Sequence, residues 1–156
     1  MPSQITNIYD RIAAVVIPYA GVNPTVYHLD TVPNAIESAM LPVRMLLPMS
    51  NRQGEDFSFI ALGSGARIVW TIQDLLLVKP AAQQRGPLTA LRSLSAYCGA
   101  YADAMRTFRE PGQASAGTRT TMDRLAVDVV TYEWPSSGGM WYWGAIATLT
   151  ISEYLT

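Results

Sequence analysis

The chain closes on two strand-like runs separated by a turn: Leu125 to Thr131, then Trp134-Pro135-Ser136-Ser137-Gly138-Gly139, then Met140 to Leu155. Strand-forming residues on both sides of a Pro/Ser/Gly cluster predict a β-hairpin. Large aromatics, Trp134, Trp141, Tyr142 and Trp143, flank its bend. In a strand, Trp141 and Trp143 share one face and Tyr142 takes the other. The rest of the chain must be compatible with a sheet that ends in this hairpin.

A helix is predicted from Gln4 to Val16, with Ser3 as its N-cap. Ile5, Ile8, Ile12 and Val15/Val16 recur at spacings of three and four and share one face. Thr25 to Leu29 is a short strand. Asp30 to Leu41 is a loop with at most one helical turn. Val43 to Leu47 is a strand delimited by Pro42 and Pro48, because proline cannot donate to a ladder.

Phe57, Phe59 and Ala61 alternate, and Gly63-Ser64-Gly65 is a turn. Arg67 to Lys79 is a long strand. Its Leu75-Leu76-Leu77-Val78 end is apolar on both faces, so it should be covered on both. Pro87 opens a second helix, whose stripe is Leu88, Leu91, Leu94/Ser95, Cys98, Tyr101/Ala102, Met105 and Phe108. Flexible loops are expected near 49–66 and 113–121.

No strand–helix alternation repeats, so a doubly wound parallel sheet is not expected. The predicted fold is α+β. A mostly antiparallel sheet packs against a long amphipathic helix and a short N-terminal helix, in one domain spanning residues 1–156.

The residues carry little chemistry. His28 is the lone histidine, and no nucleophile motif accompanies it or Asp30. Cys98 falls within the helical stripe and reads as a small hydrophobe. One cysteine excludes an intrachain disulfide, and one cysteine with one histidine cannot supply a usual zinc ligand set. Gly63-Ser64-Gly65 lacks the lysine and following helix of a phosphate loop. No enzyme activity, cofactor or metal is expected. Asp10 and Arg11 interrupt the first apolar stretch, so no signal peptide is expected, and no run is long enough for a membrane span.

Surface is where the composition points. Charged residues make up 15% of the chain, against about 25% in ordinary soluble domains. A formal charge of −1 gives no electrostatic pull toward nucleic acid. A charge-poor exterior is better accommodated by subunit contacts than by water. The interface candidates are Trp134, Trp141 and Trp143, with Arg106 and Arg109 at the end of the long helix. A sheet edge left open by the hairpin could pair across such a contact.

One family shares this layout. Its marks are the N-terminal helix Ile5-Thr6-Asn7-Ile8-Tyr9-Asp10 and the strand Leu41-Pro42-Val43-Arg44-Met45-Leu46-Leu47-Pro48. A long strand with Trp70 and Asp74, an amphipathic helix, and a hairpin from Val127 to Leu155 bent at Trp134-Pro135 complete it. The chain resembles the tail-terminator and related neck or tail-completion proteins of long-tailed bacteriophages. The segment Met49 to Ala66 departs from that layout.

The resemblance implies a virion structural protein, made in the host cytoplasm. It would form a ring, usually a hexamer, of copies of itself between the tail tube and the neck proteins. DNA would pass through the lumen without being gripped, and no membrane would be involved. A head–tail adaptor, a tube-like subunit, and a non-viral oligomeric module binding a small molecule are the alternatives.

Overall fold

The computed structural model describes residues 4–47, 57–63, 65–81, 87–106, 108, 118–134 and 139–155. Helix α1 (Ile5–Ala14) leads into strands β1 (Thr25–His28), β2 (Val43–Leu47), β3 (Phe57–Leu62) and β4 (Gly65–Pro80). Helix α2 (Pro87–Arg106) and strands β5 (Thr118–Glu133) and β6 (Trp141–Leu155) follow. The strands make one mixed sheet in the order β1-β2-β4-β6-β5, with β3 also beside β4. Among the described residues, β1 and β2 run parallel and the other pairs are antiparallel. The fold is therefore α+β, with two α-helices and a mixed sheet among the described residues.

Strand β4 is the spine. On one side, β2 pairs with its Gln73–Leu77 part and β3 with its Gly65–Trp70 part. On the other side, β6 follows it from Ala66 to Pro80. Alternation along β4 sends Ile72 and Leu76 to one core, and Leu75 and Leu77 to another. Both predicted coverings of the Leu75–Val78 end are present.

The first core lies under both helices. Ile8, Tyr9 and Ile12 of α1 and Ala90, Leu94, Tyr97, Tyr101 and Met105 of α2 pack on Ala145, Ala147, Leu149 and Ile151 of β6. Burying each large aliphatic side chain contributes about 1.5–3 kcal/mol. Against the opposite face, Val43, Met45, Leu75, Leu77, Trp134 and Tyr142 form a second core. Val32, Ile36 and Leu41, from the link between β1 and β2, cover it. Farther along that face Thr71, Gln73, Thr148 and Thr150 are only partly buried, as a strand pattern with one wet face requires.

Gly144 explains how closely β6 approaches β4. A Cβ at this position would collide with the Leu76 carbonyl oxygen. Only glycine leaves that backbone room.

Several expectations are corrected. Gln4, not Ser3, occupies the N-cap position of α1, and its side chain makes no capping bond; Ser3 lies outside the described residues. The helix ends at Ala14, so Val16 is 69% exposed, and Ile17 turns inward at 3%. The link after β1 holds two 3₁₀ turns, Leu29–Thr31 and Ser38–Met40, rather than at most one helical turn.

Of the expected loop 49–66, residues 57–62 and 65–66 are strand, while 49–56 and 64 lie outside the described residues. Of the expected loop 113–121, Thr118–Thr121 already belong to β5, and 113–117 lie outside them. On α2 the expected Leu94, Tyr101 and Met105 are buried, while Ser95 and Ala102 face water and Ala90 and Tyr97, outside the expected stripe, are inside.

Candidate functional site

The densest chemistry is inside the molecule. Arg44 on β2 sits opposite Leu76, two positions along from the Asp74–Leu46 pair, so both charged side chains reach the helical face. There the guanidinium is 1% exposed and Asp74 is 2% exposed. Arg44 Nε donates to both carboxylate oxygens at 3.0 and 2.9 Å, and Nη2 donates to Oδ2 at 2.5 Å. The Tyr101 hydroxyl of α2 donates to the same Oδ2 at 2.7 Å.

The rest of the guanidinium caps α1. Nη1 donates to the Val15 carbonyl at 2.5 Å and Nη2 to the Ile12 carbonyl at 3.0 Å. Carbonyls at a helix C-terminus lack intrahelical partners, and a cation there also complements the helix dipole. Burial works against the Arg44 charge, but the Asp74 carboxylate outweighs it and raises the arginine pKa further. Burial, then the Asp74 charge, pushes the Tyr101 hydroxyl well above the usual tyrosine range. This clamp joins α1, β2, β4 and α2. It is closed to solvent, so it orders the fold rather than meeting a substrate.

A second polar group lies on the helix-free face. Arg67 Nε and Nη2 donate to Ser152 Oγ at 3.0 and 2.8 Å, and Nη2 reaches Asp123 Oδ2 at 3.2 Å. Ser152 Oγ in turn donates to Asp123 Oδ2. Thr121 Oγ1 donates to Asp123 Oδ1 at 3.0 Å. Asp123 occupies the irregularity where the β5–β6 register shifts between Met122 and Arg124. The cluster fixes that bulge.

His28 pairs with Asp10 of α1 through Nε2 at 2.8 Å, not with Asp30, and ties β1 to that helix at the surface. Cys98 is half-buried beside the helical core; burial, with the Asp128 charge adding, pushes its thiol up. Among the described residues, no group of three or more His, Cys, Asp or Glu side chains is placed to hold a metal ion. No helix among them is long and apolar enough to cross a membrane.

The five expected interface residues fall in different places. Trp134 is 6% exposed, packs in the second core, and donates from Nε1 to the Asn34 carbonyl at 3.0 Å. It is a core residue of this chain, because the link after β1 folds over it. Trp143 is half-buried against the helical core, with its Nε1 buried and unpartnered. Trp141 remains on the surface at 48% exposure, beside Met140 at 45%. Arg106 is paired within its own helix, to Asp103 at 2.9 Å. Arg109 lies outside the described residues.

The sheet edge expected beside the hairpin is longer than the Leu125–Thr131 strand read from the sequence. Strand β5 pairs with β6 over nearly its whole length, from Thr118–Leu155 to Glu133–Trp141. It stands last in the sheet, with no strand beyond it among the described residues. Its alternating face carries Arg119, Arg124 and Asp128, all exposed. The outward signal is a Thr-rich stretch ahead of Leu125, which favours the pleat as well as a loop. No described protein family matches this sequence, and a search of curated proteins finds no match either.

Proposed function

We propose that this chain is a structural subunit whose work is assembly. In the finer form of the proposal it acts as the tail-terminator and neck proteins that it resembles. Copies form a ring that caps the tail tube, joins it to the neck, and lets DNA through without holding it. The alternative partners are those of a head–tail adaptor or tube-like subunit. The protein would be made in the host cytoplasm and end in the virion.

One observation carries the reading: a strand of 16 residues, β5, ends the sheet, with no strand beyond it among the described residues. A long open edge invites another chain unless something blunts it. The exposed Trp141 and Met140, near the hairpin bend, add apolar surface at one end of the same hairpin. Large aromatics are favoured anchors where subunits meet.

Light scattering after size-exclusion chromatography, with negative-stain imaging of the same fractions, tests the proposal. Assemblies larger than the 17.1 kDa chain, including closed rings, are expected. A single species of that mass at every concentration, alone and mixed with tail-tube subunits, would overturn it.

A further inference from the structure

We propose that the outer edge of β5 pairs antiparallel with β5 of a second copy, about a twofold axis at Ala126. The inference rests on the assembly reading only in requiring that the chain self-associates.

Two copies meeting along the same edge of the same strand are related by a twofold, and one residue on the axis faces its own counterpart. With Ala126 there, Arg124 lies opposite Asp128 of the second copy, and Asp128 lies opposite its Arg124. All three residues share the helix-free face, where their β6 neighbours are Thr150, Thr148 and Ile146. Arg124 and Asp128 are both exposed, and neither forms an ion pair with another described residue. Four positions apart on one strand, they are separated by about 13 Å, too far to neutralise each other. The second copy supplies the opposite charge for each.

The neighbouring registers are worse. An axis at Arg124 sets two arginines face to face, and an axis at Asp128 sets two aspartates face to face. An axis at Leu125 or Val127 leaves the charges opposite neutral residues. The edge therefore selects one register by attraction and rejects two by repulsion. In the selected register Leu125 meets Val127 of the second copy on the helical face. Both are half-buried apolar residues at the rim of the first core. Alanine on the axis keeps a small side chain where the two copies are closest.

Helix α2 packs on β5 and β6. Cys98 lies on its β5 side, within reach of the Asp128 charge. One turn to either side, that flank carries the short, exposed side chains of Ser95 and Ala102. The bulge at Asp123 limits the regular ladder on one side, so the Arg124–Asp128 segment sets the contact. A twofold pair is closed and does not by itself continue around a ring; a ring would join such pairs through another surface.

Sedimentation equilibrium of the full chain, with circular dichroism confirming the fold, tests the contact. The wild type should dimerise. Arg124→Asp and Asp128→Arg should each weaken the dimer by about tenfold or more, because each puts like charges opposite each other at both symmetric positions. Combining the two substitutions in one chain should restore it. Mixing the two singly substituted proteins should also restore dimers, as heterodimers, which requires the pairing itself rather than a general effect of charge. If single substitutions leave the association unchanged, or neither rescue works, the contact is wrong. Assemblies that ignore all these changes would overturn the contact and leave the assembly reading standing. A wild type that stays monomeric would overturn the contact, and would overturn the assembly reading too if it also stays monomeric when mixed with tail-tube subunits.

Discussion

Replacing Asp74 by Asn isolates the buried clamp. The amide has nearly the shape of the carboxylate, so no cavity opens, and what changes is charge. Arg44 stays charged, since arginine does not release its proton in proteins. It would remain 1% exposed with no counter-charge among its hydrogen-bond partners. Breaking a buried ion pair in this way costs about 3–5 kcal/mol. A natural fold is stable by about 5–15 kcal/mol, so Asp74→Asn should remove about a fifth or more of that.

Removing both charges, with Arg44→Met and Asp74→Leu together, should cost less than the sum of the two single replacements. The double variant still strands the Val15 carbonyl and the Tyr101 hydroxyl, at about 1–3 kcal/mol for each group left unsatisfied. Ile12 is spared in part, because its carbonyl also accepts the Val15 N–H at 3.2 Å. Urea unfolding followed by tryptophan fluorescence and far-ultraviolet dichroism gives each stability by linear extrapolation. A cost below about 1 kcal/mol for Asp74→Asn, or single effects that add within about 0.5 kcal/mol, would refute the clamp.

Three further outcomes are expected. Gly144→Ala should destabilise by about 1–3 kcal/mol, since its methyl would meet the Leu76 carbonyl; an unchanged urea midpoint would mean that β4 and β6 part easily. Trp134→Ala should cost about 3–5 kcal/mol by the same measurement, whereas Trp141→Ala, at a site 48% exposed, should cost about 0.5 kcal/mol or less while weakening association. Equal stability losses at the two tryptophans would contradict their placement. Stability should also fall in alkali. Burial raises the pKa of Cys98, Tyr97 and Tyr101 from ordinary values of 9.0, 10.0 and 10.0, so the unfolded chain releases those protons first. Their contribution is complete below pH 9 and is lost as pH rises through the folded pKa values; Tyr101→Phe should flatten the decline in a pH series of urea midpoints.

Much of the framework was legible because it depends on local rules. Pro42 and Pro48 bound the Val43–Leu47 strand as read, and Pro87 begins α2. The doubly apolar end of β4 announced two coverings. The Arg44–Asp74 pair was not legible, because its partners are 30 residues apart and meet only through the β2–β4 register. A single charge inside each of two apolar strands was the available signal. The stripe of α2 is met at Leu94, Tyr101 and Met105; Ala90 and Tyr97, which the stripe omits, are also buried, and Tyr101 is held by its bond to Asp74. Trp134 drew attention as an aromatic at a bend; only the course of residues 29–41 across the sheet shows why it is inside. The start of β5 was hidden in a Thr-rich stretch whose composition suits both coil and pleat.

A consequence follows from β4 serving as a party wall between two interiors. Consecutive residues Leu75, Leu76 and Leu77 press alternately on one and then the other. Backbone atoms displaced to relieve crowding on the helical side intrude on the opposite side, so volume changes in the two compartments should interact. Methyl groups removed from Leu76 and from Leu75 would therefore not cost independent amounts, although their side chains never share a cavity.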